Sequence, residues 1–343
     1  MVSIRFYLSL LSICMVLFAS CNPPPQSAFQ KSWSSYVERF YQSGRIVDTG
    51  NKNISHSEGQ GYGMLFAVEA DDQERFDEMW DWTKRVLMRP DNLFSWQYTP
   101  CDANNRTCIT DKNNASDGEI LLAWALLRAT KKWQEKKYQK AANKILMAFQ
   151  EKLVIERFDT ALIIPGEYGF NKDSTTQINL SYWVFPALKA FDAYFKNPLW
   201  NKLIESGLTL METTRFGSTQ LNPDWTILSD SSPSIQGAIS PDYGFNACRI
   251  PLHLVWMGTT DTKLLAPYLT FWSQSFVPAT VNLLNDNPAE YSYTVGMQSI
   301  HDVTMALATN KTEFLAPIVD SKSDYFSASL IMLSHLAWLD NQQ

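Results

Sequence analysis

Apolar residues recur at helical spacing along most of the chain, and loops rich in Gly, Pro, Asn and Asp cut the pattern into segments. Trp33, Val37 and Phe40 share one face of a helix predicted over 29–41. Phe76, Trp80, Val86 and Leu87 form a stripe over 73–88, and Ile120, Leu121, Trp124, Leu126 and Leu127 fill the interior of 117–133. The segment 58–68 is apolar and small. Further helices are predicted over 138–153, 180–194, 199–213, 243–256, 263–276, 292–308 and 324–339, giving ten or eleven with little strand signal between them. Ser and Asp stand where helices begin, as at Ser116-Asp117 ahead of Gly-Glu-Ile. Helix pairs joined by alternating short and long loops suggest an all-α helical toroid rather than a simple bundle. No internal repeat is visible, and one domain is expected over 28–343.

The N-terminus departs from this pattern. Arg5 precedes an almost wholly apolar run over 7–18, and Leu17-Phe18-Ala19-Ser20-Cys21 has the form of a bacterial lipoprotein cleavage box. The run is short against the ~20 residues a spanning helix needs. The reading is a signal peptide over 1–20, a lipidated Cys21 and a stiff tether over 22–27 that contains three prolines. A plain signal peptide with a coincidental cysteine is the alternative. The expectation is an exported bacterial lipoprotein on the periplasmic or outer face, meeting the membrane through its lipid alone.

Composition narrows the chemistry. The formal charge is −6 and no basic cluster stands out, so a nucleic-acid partner is not expected. Aromatic residues make up 13% of the chain, with 12 Trp, enough to line a core and still stack on the flat faces of sugars. Cys101 and Cys108 flank a polar loop and could close a small disulfide in an oxidising compartment. No Cys/His spacing suggests zinc and the four His are scattered, so no metal and no organic cofactor is expected.

The most informative segment is Ser57-Glu58-Gly59-Gln60-Gly61-Tyr62-Gly63-Met64. Three glycines surround an acid and a tyrosine at a helix start, although each glycine weakens a helix by ~1 kcal/mol relative to Ala. Glycine suits places where a bulky ligand must approach the backbone. A carboxylic acid there, among apolar neighbours, can serve as a general acid, although a capping Glu reads equally well.

This segment resembles the acid-bearing motif of glycoside hydrolase family 8, which includes bacterial endoglucanases, chitosanases and xylanases. Further blocks match in order. Ala115-Ser116-Asp117-Gly118-Glu119 resembles the family's signature helix, with Glu119 where the family prefers Asp. The segments 162–170, Asn179-Leu-Ser181-Tyr182, Asn222-Pro-Asp224-Trp225 and Gly244-Phe245-Asn246-Ala247-Cys248-Arg249 resemble its later blocks. The resemblance covers nearly the whole mature chain and implies an (α/α)6 barrel that cuts β-1,4-linked glucan with inversion. Glu58 would then be the general acid, and Asp117 would hold the sugar at the cleavage point. An inverting site needs a second carboxylate ~6.5–9.5 Å away to activate water.

The chain departs from the family at that second carboxylate. Asn246 occupies the position of the usual base, and an amide cannot take a proton from water at neutral pH. Asp242 is the leading candidate to replace it, an N-cap on a helix from Tyr243 being its other reading; Asp230 and Asp224 are weaker. Asn246 could still orient the water. Tyr62, Trp96, Tyr182 and Trp225 are candidate sugar contacts, with Trp183 and Tyr243 as further platforms, each set against plain core packing. Arg249, one turn past Asn246, could bridge a carboxylate. The expected partner is a β-linked polysaccharide or oligosaccharide met by a monomer. Chitosan or xylan is the alternative substrate, and a glycan-binding lipoprotein without activity is the alternative class.

Overall fold

The computed structural model describes residues 27–101, 108–109, 111–259 and 261–342; the signal segment, Cys21 and the start of the tether lie outside them. Among the described residues eleven α-helices run in order. They are α1 Ala28–Phe40, α2 Ser57–Ala70, α3 Gln73–Val86, α4 Ser116–Trp133, α5 Lys136–Leu153 and α6 Phe185–Phe195. After these come α7 Pro198–Thr213, α8 Ile250–Trp256, α9 Thr262–Trp272, α10 Val295–Ala308 and α11 Tyr325–Asp340. Helices α2, α4, α6, α8, α10 and α11 each pack on the next, and the ring closes where α11 meets α2. Outside it α1 lies on α11 and α2, α3 on α2, α5 on α4, α7 on α6 and α9 on α10. This is an (α/α)6 barrel in which the non-helical run 309–324 stands in for the sixth outer helix. That run is tied down by the Val319 N–H on Ser32 Oγ at 3.2 Å and by the Pro317 carbonyl against His335.

The burial pattern follows the two layers. Helix α2 is buried without a break from Gly59 to Val68, α4 from Ser116 to Leu126 and α11 from Ser327 to Ala337, as befits helices covered on every side. The outer helices bury one stripe each: Phe76, Met79, Trp80 and Thr83 on α3, and Tyr138, Ala142, Ile145 and Phe149 on α5. Strands are confined to short antiparallel pieces of at most four residues. Two of these matter for the site. The strand Thr226–Ser229 pairs with Thr175–Ile178, and Asp242–Tyr243 pairs with Val281–Asn282.

Two predicted helices start later than their hydrophobic pattern suggests. The stretch expected as helix from 180 begins with a 3₁₀ turn, Leu180–Tyr182, and α6 starts only at Phe185. The stretch expected from 243 is a strand residue, a loop and a 3₁₀ turn, Ala247–Arg249, before α8. Pro186 and Pro251 explain both: proline lacks an N–H and fits an α-helix only in its first turn, so each helix has to begin there. Asp242 therefore caps no helix. Ser116 and Asp117 do not cap α4 either; Ala115 is its cap and both lie in the first turn.

The glycines around Glu58 serve packing. A methyl group on Gly61 would stand 2.5 Å from Leu121 Cβ on α4, and one on Gly63 would stand 2.6 Å from Ile46 Cγ1 and 2.8 Å from Met79 Sδ. They let α2 approach α4 and the Ile46 strand; no ligand is needed to explain them.

The six inner helices all start at one rim. Arg249, ahead of α8, reaches Glu58 on α2 and Ser181 ahead of α6. Gly118 of α4 abuts Ser57, Gly59 of α2 abuts the Tyr325 hydroxyl that opens α11, and Gly296 of α10 abuts Ser327.

Candidate active site

Where these helix starts meet, the described residues assemble a polar cluster in an apolar barrel. Glu58 Oε1 accepts from the Tyr62 hydroxyl at 2.8 Å and from the Arg249 guanidinium. Arg249 also donates to the Tyr62 hydroxyl at 2.7 Å, to Ser181 Oγ at 3.2 Å and to Asn246 Oδ1 at 3.0 Å. One buried cation thus pins four side chains from three helix starts. Oε2 of Glu58 lies 3.8 Å from His56 Nδ1. That nitrogen already accepts the Gly59 N–H at 3.0 Å, which places the ring proton of His56 on Nε2. Burial, and then the charge of Arg249, lowers the His56 pKa to about 4, so it is neutral at physiological pH.

Asp117 is buried beside this group, with Oδ1 on the Gly118 N–H at 2.9 Å. Burial raises its carboxyl to about 7, against the pull of that N–H and with the charge of Glu119 adding to the rise. Glu119 is fully buried, receives the Phe94 N–H at 3.0 Å and is lifted by burial to about 8. A carboxyl in a site of this kind can hold a proton at neutral pH. Asp224 is the third buried carboxyl. Its Oδ1 accepts the N–H groups of Asn246 at 3.0 Å and Ala247 at 2.7 Å. Burial outweighs those bonds and brings it to about 6, with Asp242 contributing. The hydroxyl of Tyr182 is kept protonated by burial and then by the charges of Asp117 and Asp224.

An aromatic strip continues from the cluster. Trp225 stacks on Phe170 with centroids 5.6 Å apart and 6° between planes, and meets Tyr182 edge-on at 6.1 Å. Trp225 and Tyr182 are half-buried. Trp96, also half-buried, is held by its indole N–H on Asp111 at 2.8 Å, and its carbonyl accepts the Ser57 N–H at 3.0 Å. It therefore sits directly beside the start of α2.

The structure thus brings Glu58, Tyr62, Asp117, Tyr182, Asn246 and Arg249 into one cluster, with Trp96 and Trp225 at its edge. Two of the other expected platforms belong to the core: Trp183 is fully buried with its indole N–H on the Leu203 carbonyl, and Tyr243 is buried against Phe271. Asp242 lies on its strand, where Oδ1 receives the Asn282 amide at 2.8 Å. His56, Ser181 and Phe170 were not among the expected site residues; Ser181 and Phe170 fall inside matching motif blocks, while His56, one position before one, carried no signal. Cys101 and Cys108 are disulfide-bonded, and Cys248 is free and buried. Among the described residues no cluster of three or more His, Cys, Asp or Glu side chains could hold a metal ion.

Buried, proton-retaining carboxyls beside a strip of aromatic rings at one rim of a helical barrel are the equipment of a carboxylate-based glycosidase. The chain belongs to the glycosyl hydrolases family 8, whose family model matches residues 4–340. It is 36% identical to an endoglucanase of Cellulomonas uda over 82% of this chain and 79% of that protein. Among solved structures it is similar to an endo-β-1,4-glucanase from an Achatina fulica gut metagenomic library, with a TM-score of 0.84 and 37% identity over 92% of this chain and 98% of that one. An endo-β-1,4-glucanase from Acetobacter xylinum gives a TM-score of 0.85 at 32% identity, over 92% and 99% of the two chains.

Proposed function

We propose that this hydrolase cuts β-1,4-linked glucan internally, with inversion, and works outside the cytoplasm on a lipid tether. The observation that carries the reading is the meeting of Glu58 and Asp117 at the rim, beside the Tyr182, Trp225 and Phe170 strip. The similar proteins described as endoglucanases support glucan as the substrate.

In this reading a glucan chain lies along the strip with C–H faces on Trp225, while Asp117 takes hydroxyls of the ring at the cleavage point. Glu58 protonates the leaving oxygen. Its two oxygens differ: Oε1 is occupied by Tyr62 and Arg249, so the transferable proton sits on Oε2. Arg249 favours the ionised form of Glu58, and neutral His56 beside Oε2 adds no second positive charge to it. Arg249 acts as a positioning residue that fixes Glu58, Tyr62 and Asn246 together. Lipidation of Cys21 would hold the barrel at a membrane; no helix among the described residues is long and apolar enough to cross one.

The test is reducing-end release from a soluble cellulose derivative by the domain from about residue 28, with chitosan and xylan alongside. Release from cellulose supports the reading, and release from another polymer alone moves the substrate. Silence on all three favours a glycan-binding protein, the second reading that Asn246 motivates. Recovery of a Cys21→Ser chain in the membrane fraction would sink the lipid tether.

A further inference from the structure

We propose that Asp224 is the general base of this site, taking the proton from the attacking water in place of the carboxylate that Asn246 replaces. The inference rests on the inverting-hydrolase reading above. The base has then moved to an adjacent chain segment rather than vanished.

Four observations carry it. Asp224 is joined to position 246 itself: its Oδ1 takes the backbone N–H groups of Asn246 and Ala247, at the start of the 3₁₀ turn that precedes α8. A glycine leaves room at its other oxygen, since a methyl on Gly244 would stand 3.0 Å from Oδ2, and the Asn246 side chain also bonds this carboxyl. The residue after it, Trp225, belongs to the aromatic strip and meets Tyr182 edge-on, so Asp224 stands at the end of the strip on which the glucan would lie. Finally, Glu58 and Asp224 stand at opposite ends of one bridge, Glu58–Arg249–Asn246–Asp224. A guanidinium and an asparagine in series hold the two carboxyls in one network without direct contact; an inverting site needs them ~6.5–9.5 Å apart.

The Asp242 side chain is directed away from Asp224, and only its main chain meets that residue. Asn282 engages that side chain, and the main-chain carbonyl accepts the Asp224 N–H at 2.6 Å. In the reaction, Oδ2 of Asp224 accepts a proton from water as the water oxygen bonds to the anomeric carbon. The bond from that carbon to the leaving oxygen breaks, and the leaving oxygen takes the Glu58 proton. Glu58 ends ionised, Asp224 ends protonated, the new reducing end is α, and exchange with solvent resets both carboxyls. The ionised form of Asp224 is opposed by burial and by Asp242; Tyr182, Tyr243 and Cys248, neutral, face it, and Arg249 stands beyond Asn246.

Asp224→Asn decides between base and cap, because an asparagine Oδ1 still accepts both backbone N–H groups. With the wild type active, the variant is expected to lose kcat by 10²–10⁴-fold, to keep KM within about threefold and to lose the acidic limb of kcat/KM near pH 6. Azide, a nucleophile that needs no base, should restore turnover and yield an α-glycosyl azide, while Asp242→Asn stays within about tenfold of wild type. Activity of Asp224→Asn near the wild-type level overturns the assignment. So does a loss that azide does not relieve, or a base-type loss with azide rescue in Asp242→Asn instead. A wild type silent on every β-glucan overturns the hydrolase reading first, which separates the two failures.

Discussion

Gly61→Ala is a prediction in which the sign alone discriminates. In an exposed helix interior the exchange stabilises by ~1 kcal/mol, because alanine restricts the unfolded chain and glycine does not. At position 61 the new methyl would lie 2.5 Å from Leu121 Cβ and 3.3 Å from the Leu121 carbonyl carbon and the Leu122 nitrogen. Those atoms are the root of a side chain and the backbone of α4, so no flexible end can swing away. Helices α2 and α4 must separate, and overpacking of this kind costs ~1–3 kcal/mol. With Cβ and backbone as the clashing atoms the upper half of that range applies, and after the ~1 kcal/mol gain the net expectation is a loss of about 1–2 kcal/mol, read as a lower urea midpoint at unchanged slope. Activity should fall as well, because Glu58 lies one turn before Gly61 and Asp117 one turn before Leu121, and a misplacement near 1 Å can cost ~10²-fold. A variant as stable as wild type, or more stable, would refute the close-packing account of this glycine-rich segment.

Arg249→Met should lower kcat/KM by at least about 10²-fold and lower the urea midpoint, since it removes the one donor that joins Glu58, Tyr62, Ser181 and Asn246; urea melts and initial rates check both. Arg249→Lys should not restore activity, because one ammonium cannot span Glu58, Tyr62, Ser181 and Asn246. Trp225→Ala should raise KM for long oligosaccharides more than it lowers kcat, through loss of ~1 kcal/mol or more of stacking; a pure kcat effect would contradict a platform role. Glu119 carries a folded pKa of about 8 against an ordinary value of 4.5, so its contribution is complete below pH 4.5 and lost as pH rises through 8. Neutral, buried His253, lowered to about 3 by burial and then Arg249, acts in the opposite direction and costs stability as pH falls below 6.5. Glu119→Gln should therefore flatten the fall in melting temperature between pH 5 and 9 and leave the acid side unchanged.

The layers of the barrel were readable from periodicity because an outer helix such as α3 alternates faces, and because 58–68 and 324–339 are apolar beyond what one face requires. The starts of α6 and α8 were missed although their prolines are plain in the sequence: the hydrophobic run through Leu180 or Tyr243 continues past the point where proline permits a helix to begin. The site was legible where chemistry and motif coincide, as at Glu58, Asp117 and Arg249. It was not legible where function depends on neighbours distant in sequence. Asp224 lies 22 residues before Asn246 and meets it only through a backbone turn, while Asp242, four residues away, points at Asn282 instead. The glycines next to Glu58 invited a ligand explanation because the sequence does not show Leu121, Ile46 or Met79 pressed against them. Trp183 and Tyr243 have the composition of sugar platforms and the position of core residues, which only tertiary packing distinguishes.

The most direct test of the central claim is a paired measurement on Glu58→Gln: turnover of a soluble cellulose derivative, and binding of a cello-oligosaccharide by calorimetry. The account predicts that turnover falls by 10²–10⁴-fold while affinity stays within a few-fold of wild type, because the amide keeps its place beside Tyr62 and loses the proton to donate. Turnover that survives the substitution would contradict Glu58 as the acid, and with it the assignment of this rim as the catalytic site.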